Sequence, residues 1–493
     1  MDCLPSILDN PLTCPGLFYA TPAQDGIISR IRIPGGILTT QQTRVVAEYA
    51  TCFGGDKSVH VTNRANLQVR GVQVRGVQVR GVQVRGVQAL QAALFSLQQV
   101  RLAGIAEVDH IRNIMASPTA GIDQDELIDT RYLVRDLDNY IQSHREVAGL
   151  SPKFSVAFDG GGISICQQVN EITFAAVKID TSVYFHLLMA GEATNILLKP
   201  EQCLFVVAAL VRVYLNEVDA NQKRKPRLKK LFQDKGILKY LQQAQSYLPF
   251  PLTFSEFTYN QRINTNHHLG VHPQRQEGFS YIGVVLPLGK LDIDQLYQLA
   301  TLADTYGGGS LRLTPWQNLI ISDIRNEFIP QVQEIIKNMG LHWSATHIYG
   351  NLVACTGNKG CAASATDTKG DALVLAEYLQ QHITFDVPIK IHFTGCSKSC
   401  AYHGKSDITL LGASQFENGK TIEGYQVFVG SYKHPFGREI YSFIHKEQVP
   451  KVILRLVQVY KIMRVNNDES FGECVDRYTA SELQRWFHVG GIE

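Results

Sequence analysis

The 493-residue chain predicts an α+β protein in which one plan is written twice. Two observations carry that prediction. Two long segments run through the same order of elements with matching glycines and polar residues, and four cysteines in two close pairs occur in the second copy only. The two halves are expected to pack about a pseudo-two-fold axis around a shared cleft.

The first copy starts at Ile27 with IISRIRIPGGILTTQQTRVVAEYATCFGGDKSVHVTNRANLQVRG. The second starts at Tyr281 with YIGVVLPLGKLDIDQLYQLATLADTYGGGSLRLTPWQNLIIS. Each reads as a strand, a Pro/Gly turn, an amphipathic helix, a glycine stop and a further strand, because helix period lies between β-branched runs. Gly36 matches Gly289, Gly54 matches Gly307, Thr62 matches Thr314 and Asn66 matches Asn318. The correspondence continues downstream. RNIMASPTAGID from Arg112 parallels GNLVACTGNKGC from Gly350, and SPKFSVAFDGG from Ser151 parallels VPIKIHFTGC from Val387. The helix PEQCLFVVAALVRVYLNEV parallels KEQVPKVILRLVQVYKIM.

The cysteines Cys355 and Cys361 are spaced C-x5-C, and Cys396 and Cys400 are spaced C-x3-C. Two such pairs about 35 residues apart can converge on one centre. Thiolates suit iron–sulfur clusters or zinc, and a cubane takes four of them. Zinc knuckles use tighter C-x2-C spacing, so these wider, glycine-rich gaps favour a 4Fe–4S cluster. Cys355 aligns with Ser117, and Cys396 falls near Gly160, so only the second half holds the cluster.

Composition restricts the class further. The 47 basic and 45 acidic residues nearly cancel, so no global field argues for nucleic acid or membrane. The other six cysteines lack a disulfide framework, which suits a reducing compartment. The start has neither a basic region nor an apolar core of a signal peptide. The longest apolar stretch, CLFVVAALV, ends at Arg212, far short of a membrane span. A cytoplasmic monomer is expected. The basic junction from Ala220 reads as a solvated helix start after Pro226. Residues 67–86 repeat LQVRG VQVRG VQVRG VQVRG, which reads as a tandem expansion forming a β-hairpin or loop.

Overlaying the halves puts three cations at matching strand ends: Arg64 in VTNRANLQ, Arg112 in HIRNIMASP and Lys153 in SPKFSVAF. A cleft lined by Arg and Lys beside a cluster suits a polycarboxylate macrocycle, because guanidinium forks match carboxylates.

With TNRANLQ, RNI-x-ASP, PKF and C-x5-C…C-x3-C in one duplicated chain, the sequence resembles the sirohaem-dependent nitrite and sulfite reductase superfamily. The resemblance runs from about Cys14 to about Met463. It implies two ferredoxin-like half-domains, 12–100 and 251–335. It also implies two α/β domains, 101–250 for the ligand and 336–480 for the cluster. In that family the four cysteines hold a 4Fe–4S cluster, and the last, here Cys400, bridges to sirohaem iron. Residues matching Arg64, Arg112 and Lys153 bind the anionic substrate or the tetrapyrrole carboxylates.

Within the superfamily, the opening CPGLFYATPAQDGIISRIRIPGG, the segment KFSVAFDGGGISI and Ser155, where the reductases carry Lys or Asn, resemble precorrin-3B synthase. That branch implies oxygen-dependent hydroxylation of precorrin-3A at C-20 with γ-lactone formation, in cobalamin biosynthesis. It also implies a mononuclear non-haem iron, for which His268, His272 and His403 are candidates. HLGVHPQRQEGFSYIGV, by contrast, resembles the nitrite reductase version of that strand, which implies sirohaem and ferredoxin. No G-x-G-x-x-G follows a strand, so electrons are expected from a partner, ferredoxin or an NADH-linked reductase.

Overall fold

The computed structural model describes residues 16–18, 21–72, 93–219, 222, 225–255, 268–417, 419–430 and 435–487. The chain divides into two compact units. The first comprises Met1–Pro22, Gly26–Gly283 and Leu291–Ile335; the second comprises Ala23–Asp25, Val284–Lys290 and Ile336–Glu493.

The first unit contains both ferredoxin-like half-sheets. One runs in the order Thr21–Ala23, Gly26–Ile31, Leu67–Val72, Ser58–Val61 and Lys290–Asp292. The other runs Gly270–Pro273, Phe279–Val284, Leu319–Arg325, Ser310–Leu313 and Ile37–Thr39. Each half thus lends its short second strand to the other's sheet. Leu38 pairs with Leu311, and Thr39 with Ser310, antiparallel.

The helices Thr40–Phe53 and Ile293–Tyr306 begin alike. Thr39 and Asp292 are N-caps, and Gln42 and Gln295 reach back to the cap N–H groups at 2.8 and 3.1 Å. These are capping boxes, which satisfy orphan donors reciprocally. Both helices stop at glycine, with Gly54 N–H donating to Ala50 O and Gly307 N–H to Ala303 O. The two helices are tied by Thr40 Oγ1 donating to Asp304 at 2.6 Å and by an Arg44–Asp304 ion pair.

The turn after each helix–strand pair is also repeated. Thr62 N–H donates to Asn66 O at 2.9 Å, and Thr314 N–H to Asn318 O at 2.9 Å. The residue before each asparagine, Ala65 or Gln317, is left-handed.

The first unit also holds an α/β layer. Ile114–Ala116, Val156–Asp159 and Ile172–Ile179 pair in parallel, and Ser182–Met189 and Glu192–Leu198 extend the sheet antiparallel. In the second unit, Leu352–Ala354, Ile391–Thr394 and Ile408–Glu417 pair in parallel, followed antiparallel by Lys420–Val429 and Arg438–His445. The five strands follow the same order and directions in both, as the duplication predicts; the first sheet adds a short sixth strand, Thr253–Phe254, beside Glu192–Leu198. Cys203–Glu217 and Val449–Met463 are the corresponding long helices, each with its apolar face in its own core. The basic junction becomes a helix, Leu228–Lys235, after Pro226. The repeat is seen only through the strand Leu67–Val72; the rest of the expected hairpin lies outside the described residues. Among the described residues no helix is long and apolar enough to cross a membrane.

One contact in the first unit titrates near neutrality. Glu126, its side chain 1% exposed, accepts from Gly121 N–H through both oxygens and meets Arg275 at 3.4 Å. Burial pushes its carboxyl up from the ordinary 4.5 to about 7, against the pull of the Gly121 N–H. The folded state therefore keeps a proton that the unfolded chain has already released. Stability should fall as pH rises from about 4.5 to about 7 through this group. Glu126→Gln should flatten that slope, measured by urea unfolding across the window. An unchanged slope would remove Glu126 as its source.

Candidate functional site

Cys355 and Cys396 leave the same ends of two adjacent parallel strands, since Ala354 is opposite Phe393 in the ladder. Cys355 N–H extends this pairing by donating to Phe393 O at 3.1 Å. Cys361 and Cys400 follow on the two loops. Cys355, Cys361 and Cys396 are half-buried and Cys400 is exposed.

They bear on one another. Burial raises the Cys400 thiol first, and then the neighbouring charges of Cys396, Cys355 and Cys361. Yet among the described residues no three His, Cys, Asp or Glu side chains sit close enough to share one ion. Four thiols carried on two loops that leave the same ends of adjacent strands suit a cubane, which takes each thiolate on a separate iron. The loops leave room by having no side chains. A Cβ at Gly395 would collide with Ser364 Oγ, and one at Gly357, which is left-handed at φ +77°, would meet Thr368 N at 2.8 Å. The donor set and its cradle therefore fit a 4Fe–4S cluster.

The three expected cations have three different settings. Arg64 sits in the Thr62–Asn66 turn. One terminal nitrogen donates to Asn170 Oδ1 at 2.6 Å and contacts Met115 Sδ at 3.3 Å; the other donates to Val169 O at 2.8 Å. That leaves its Nε–H and one terminal N–H without a protein acceptor among the described residues. Burial and the Arg227 charge lower its pKa to about 10, partly offset by Glu171, so it stays cationic at neutral pH. Lys153 is exposed, just before the strand Val156–Asp159.

Arg112 departs from the expectation of an open cleft cation. Its side chain is 1% exposed and paired with Asp109 and Asp138. Nε and one terminal nitrogen grip Asp138 at 2.7 and 3.1 Å; the remaining bonds go to Asp109 and to the carbonyls of Leu102 and Arg101. Five bonds use all five guanidinium donors, leaving none for a ligand carboxylate. A cavity of about 600 Å³ opens beside this hub, lined by Arg101, Arg131, Arg135 and the Ile33–Gly35 turn.

The histidines expected at a second iron have three separate local settings. His268 stacks on Trp316 with its Nε2 3.1 Å from Asn318 Nδ2. His272 stacks on Tyr281 with its Nε2 2.7 Å from Leu269 O. His403 is exposed in the loop after Cys400. No three-donor group assembles around any of them among the described residues.

Sequence reasoning passes over Asn170, Glu171 and Arg227, which form the surroundings of Arg64. Burial pushes the Glu171 carboxyl up, while the Arg227 and Arg64 charges pull it back down. The basic junction containing Arg227 is the available signal.

The repeated topology and the paired-cysteine loops define a duplicated reductase scaffold. The family model of the nitrite/sulfite reductase ferredoxin-like half domain matches residues 21–78 and 272–339. That of the nitrite and sulphite reductase 4Fe-4S domain matches 107–252 and 349–489. The chain belongs to the nitrite and sulfite reductase family and is an oxidoreductase. It is 31% identical over 440 residues to the ferredoxin–nitrite reductase of Leptolyngbya laminosa, covering 86% of this chain and 83% of that one. It is 29% identical over 468 residues to that of Synechococcus elongatus, covering 90% and 88%. The structure of Mycobacterium tuberculosis NirA shares the fold, with a TM-score of 0.78 at 23% identity over 93% of this chain and 84% of that one.

These findings correct the precorrin-3B synthase expectation, since the relatives matching most of the chain are nitrite reductases. The marks behind it have structural uses. In DGGG, Gly161 and Gly162 are left-handed, a Cβ at Gly160 would collide with Ile128 O, and Asp159 accepts from Gly161 N–H at 3.1 Å and Ile165 N–H at 2.9 Å. Ser155 is buried and accepts from Glu171 N–H at 3.4 Å. DGGG builds a turn, and Ser155 ties the start of the strand Val156–Asp159 to the neighbouring strand Ile172–Ile179. The start of CPGL, Cys14 and Pro15, lies outside the described residues.

Proposed function

We propose that the chain is a ferredoxin-dependent nitrite reductase carrying a 4Fe–4S cluster on Cys355, Cys361, Cys396 and Cys400, together with sirohaem. The observation that carries the reading is the near full-length similarity to ferredoxin–nitrite reductases. Cys400, the exposed member of the four thiols, suits the role of bridge to the sirohaem iron. The reading divides the chain into ferredoxin-like modules at 12–100 and 251–335 and α/β modules at 101–250 and 336–480.

When bound, the two groups supply stored electrons and an open iron position. The chain's own part is electrostatic. Arg64 offers two uncommitted N–H donors on a partly desolvated cation, where a charge-assisted bond to an anion is strong. Lys153 adds an exposed ammonium that attracts the anion and can yield a proton as oxygen leaves. Asn170 and Val169 hold the guanidinium in one orientation, so little is lost in aligning it.

Protein purified without oxygen should show a sirohaem band and consume nitrite with reduced ferredoxin. Absence of both, or turnover of sulfite alone, would sink the reading. Arg64→Ala should raise the nitrite KM about tenfold or more, the worth of one charge-assisted hydrogen bond. Arg64→Lys should recover part of it. A KM unchanged in both would take Arg64 out of the anion site.

A further inference from the structure

Thr368 stands against the sulfur of Cys355. It is fully buried as the first residue of the helix Thr368–His382, whose N-cap Asp367 accepts from Gly370 N–H at 3.2 Å. Its hydroxyl donates to Cys355 O at 2.8 Å and lies 3.4 Å from Cys355 Sγ. A second group approaches the same sulfur, Gly395 N–H at 3.2 Å. The hydroxyl has one proton and two acceptors. Its share to sulfur therefore grows with the negative charge that sulfur carries, because bonds to ionised acceptors are the stronger ones.

Resting on the proposed reading of a cluster at these cysteines, we infer that Thr368 is a positioning residue that sets the cluster's reduction potential through Cys355. Reduction adds an electron to the cluster and makes its thiolates better acceptors. Donors aimed at a ligand sulfur thus favour the reduced state and raise the potential. The two contacts single out Cys355: one is fixed in the backbone, and the other is a side chain that substitution can remove. The fit is tight on the far side too, since the space left by Gly357 is filled by Thr368 N and Oγ1. Side-chain size at 368 is therefore restricted as well as its chemistry.

The test compares Thr368→Val, which keeps the shape and removes the donor, with Thr368→Ser, which keeps the donor. Both are titrated with redox mediators, following the reduced-cluster resonance by electron paramagnetic resonance, with iron per chain measured in parallel. The valine variant should have a lower midpoint potential at full iron content, and the serine variant should stay near the parent value. Equal midpoints for valine and parent, or an equal shift in serine and valine, would overturn the inference. So would a valine variant that loses iron while the serine variant keeps it, since Thr368 would then only hold the loop. Iron absent from the parent protein itself would instead defeat the cluster reading on which the inference stands.

Discussion

Changing Cys400 to serine is expected to reduce nitrite turnover to background and to deplete cluster iron while the chain stays folded. The expectation follows from where the residue sits. Cys400 lies on a loop beyond the strand Ile391–Thr394 and is exposed, so it contributes nothing to the apolar core around Ile391, Phe393, Ile408 and Leu456. Serine has nearly the same size but is a much harder donor and is not ionised near neutral pH, so it holds iron poorly. In the proposed reading it also removes the bridge to the second group, so both electron storage and the reacting iron are affected at once. The measurements are iron per chain, the visible spectrum of anaerobically purified protein and far-UV circular dichroism. Cys203→Ala is the matched control. That thiol is fully buried among core side chains, so its loss should cost stability and leave the iron in place. Full iron retention in Cys400→Ser would remove it from the ligand set.

What can be read from the chain and what cannot divide along physical lines. The duplication is readable because each half repeats residues that local physics requires. The Thr62–Asn66 and Thr314–Asn318 turns need their left-handed penultimate residue, and Thr39–Gln42 and Asp292–Gln295 need their cap and its partner. The cysteine pairs are readable because ligand chemistry restricts them to few residue types. The exchange of short strands between the half-sheets is not readable, because Ile37–Thr39 carries no mark of a partner more than two hundred residues away. The setting of Arg112 is hidden for the same reason. Asp109 is close in sequence, but Asp138 comes from a helix that folds back onto it. DGGG and Ser155 mislead toward another branch because a tight turn and a contact between strands look, in one sequence, like specificity marks.

Replacing Arg112 by methionine should destabilise the first unit strongly. Methionine fills much of the same volume, so the change removes charge more than packing. It leaves the Asp109 side chain, 1% exposed, and the Asp138 side chain, 17% exposed, without the guanidinium that pairs them. The carbonyls of Arg101 and Leu102 lose a donor in the same step. Removing one partner of a buried ion pair costs ~3–5 kcal/mol, because the remaining charge stays desolvated. That is a large part of the usual margin of a folded domain. Urea unfolding should show a lower midpoint at unchanged slope, since the surface exposed on unfolding barely changes. The double variant Arg112→Met, Asp138→Leu should recover part of the loss, because it removes a charge that the single change strands. If the single variant unfolds at the parent midpoint, the ion-pair hub is not what holds Arg112, and its guanidinium would again be available to an anionic ligand.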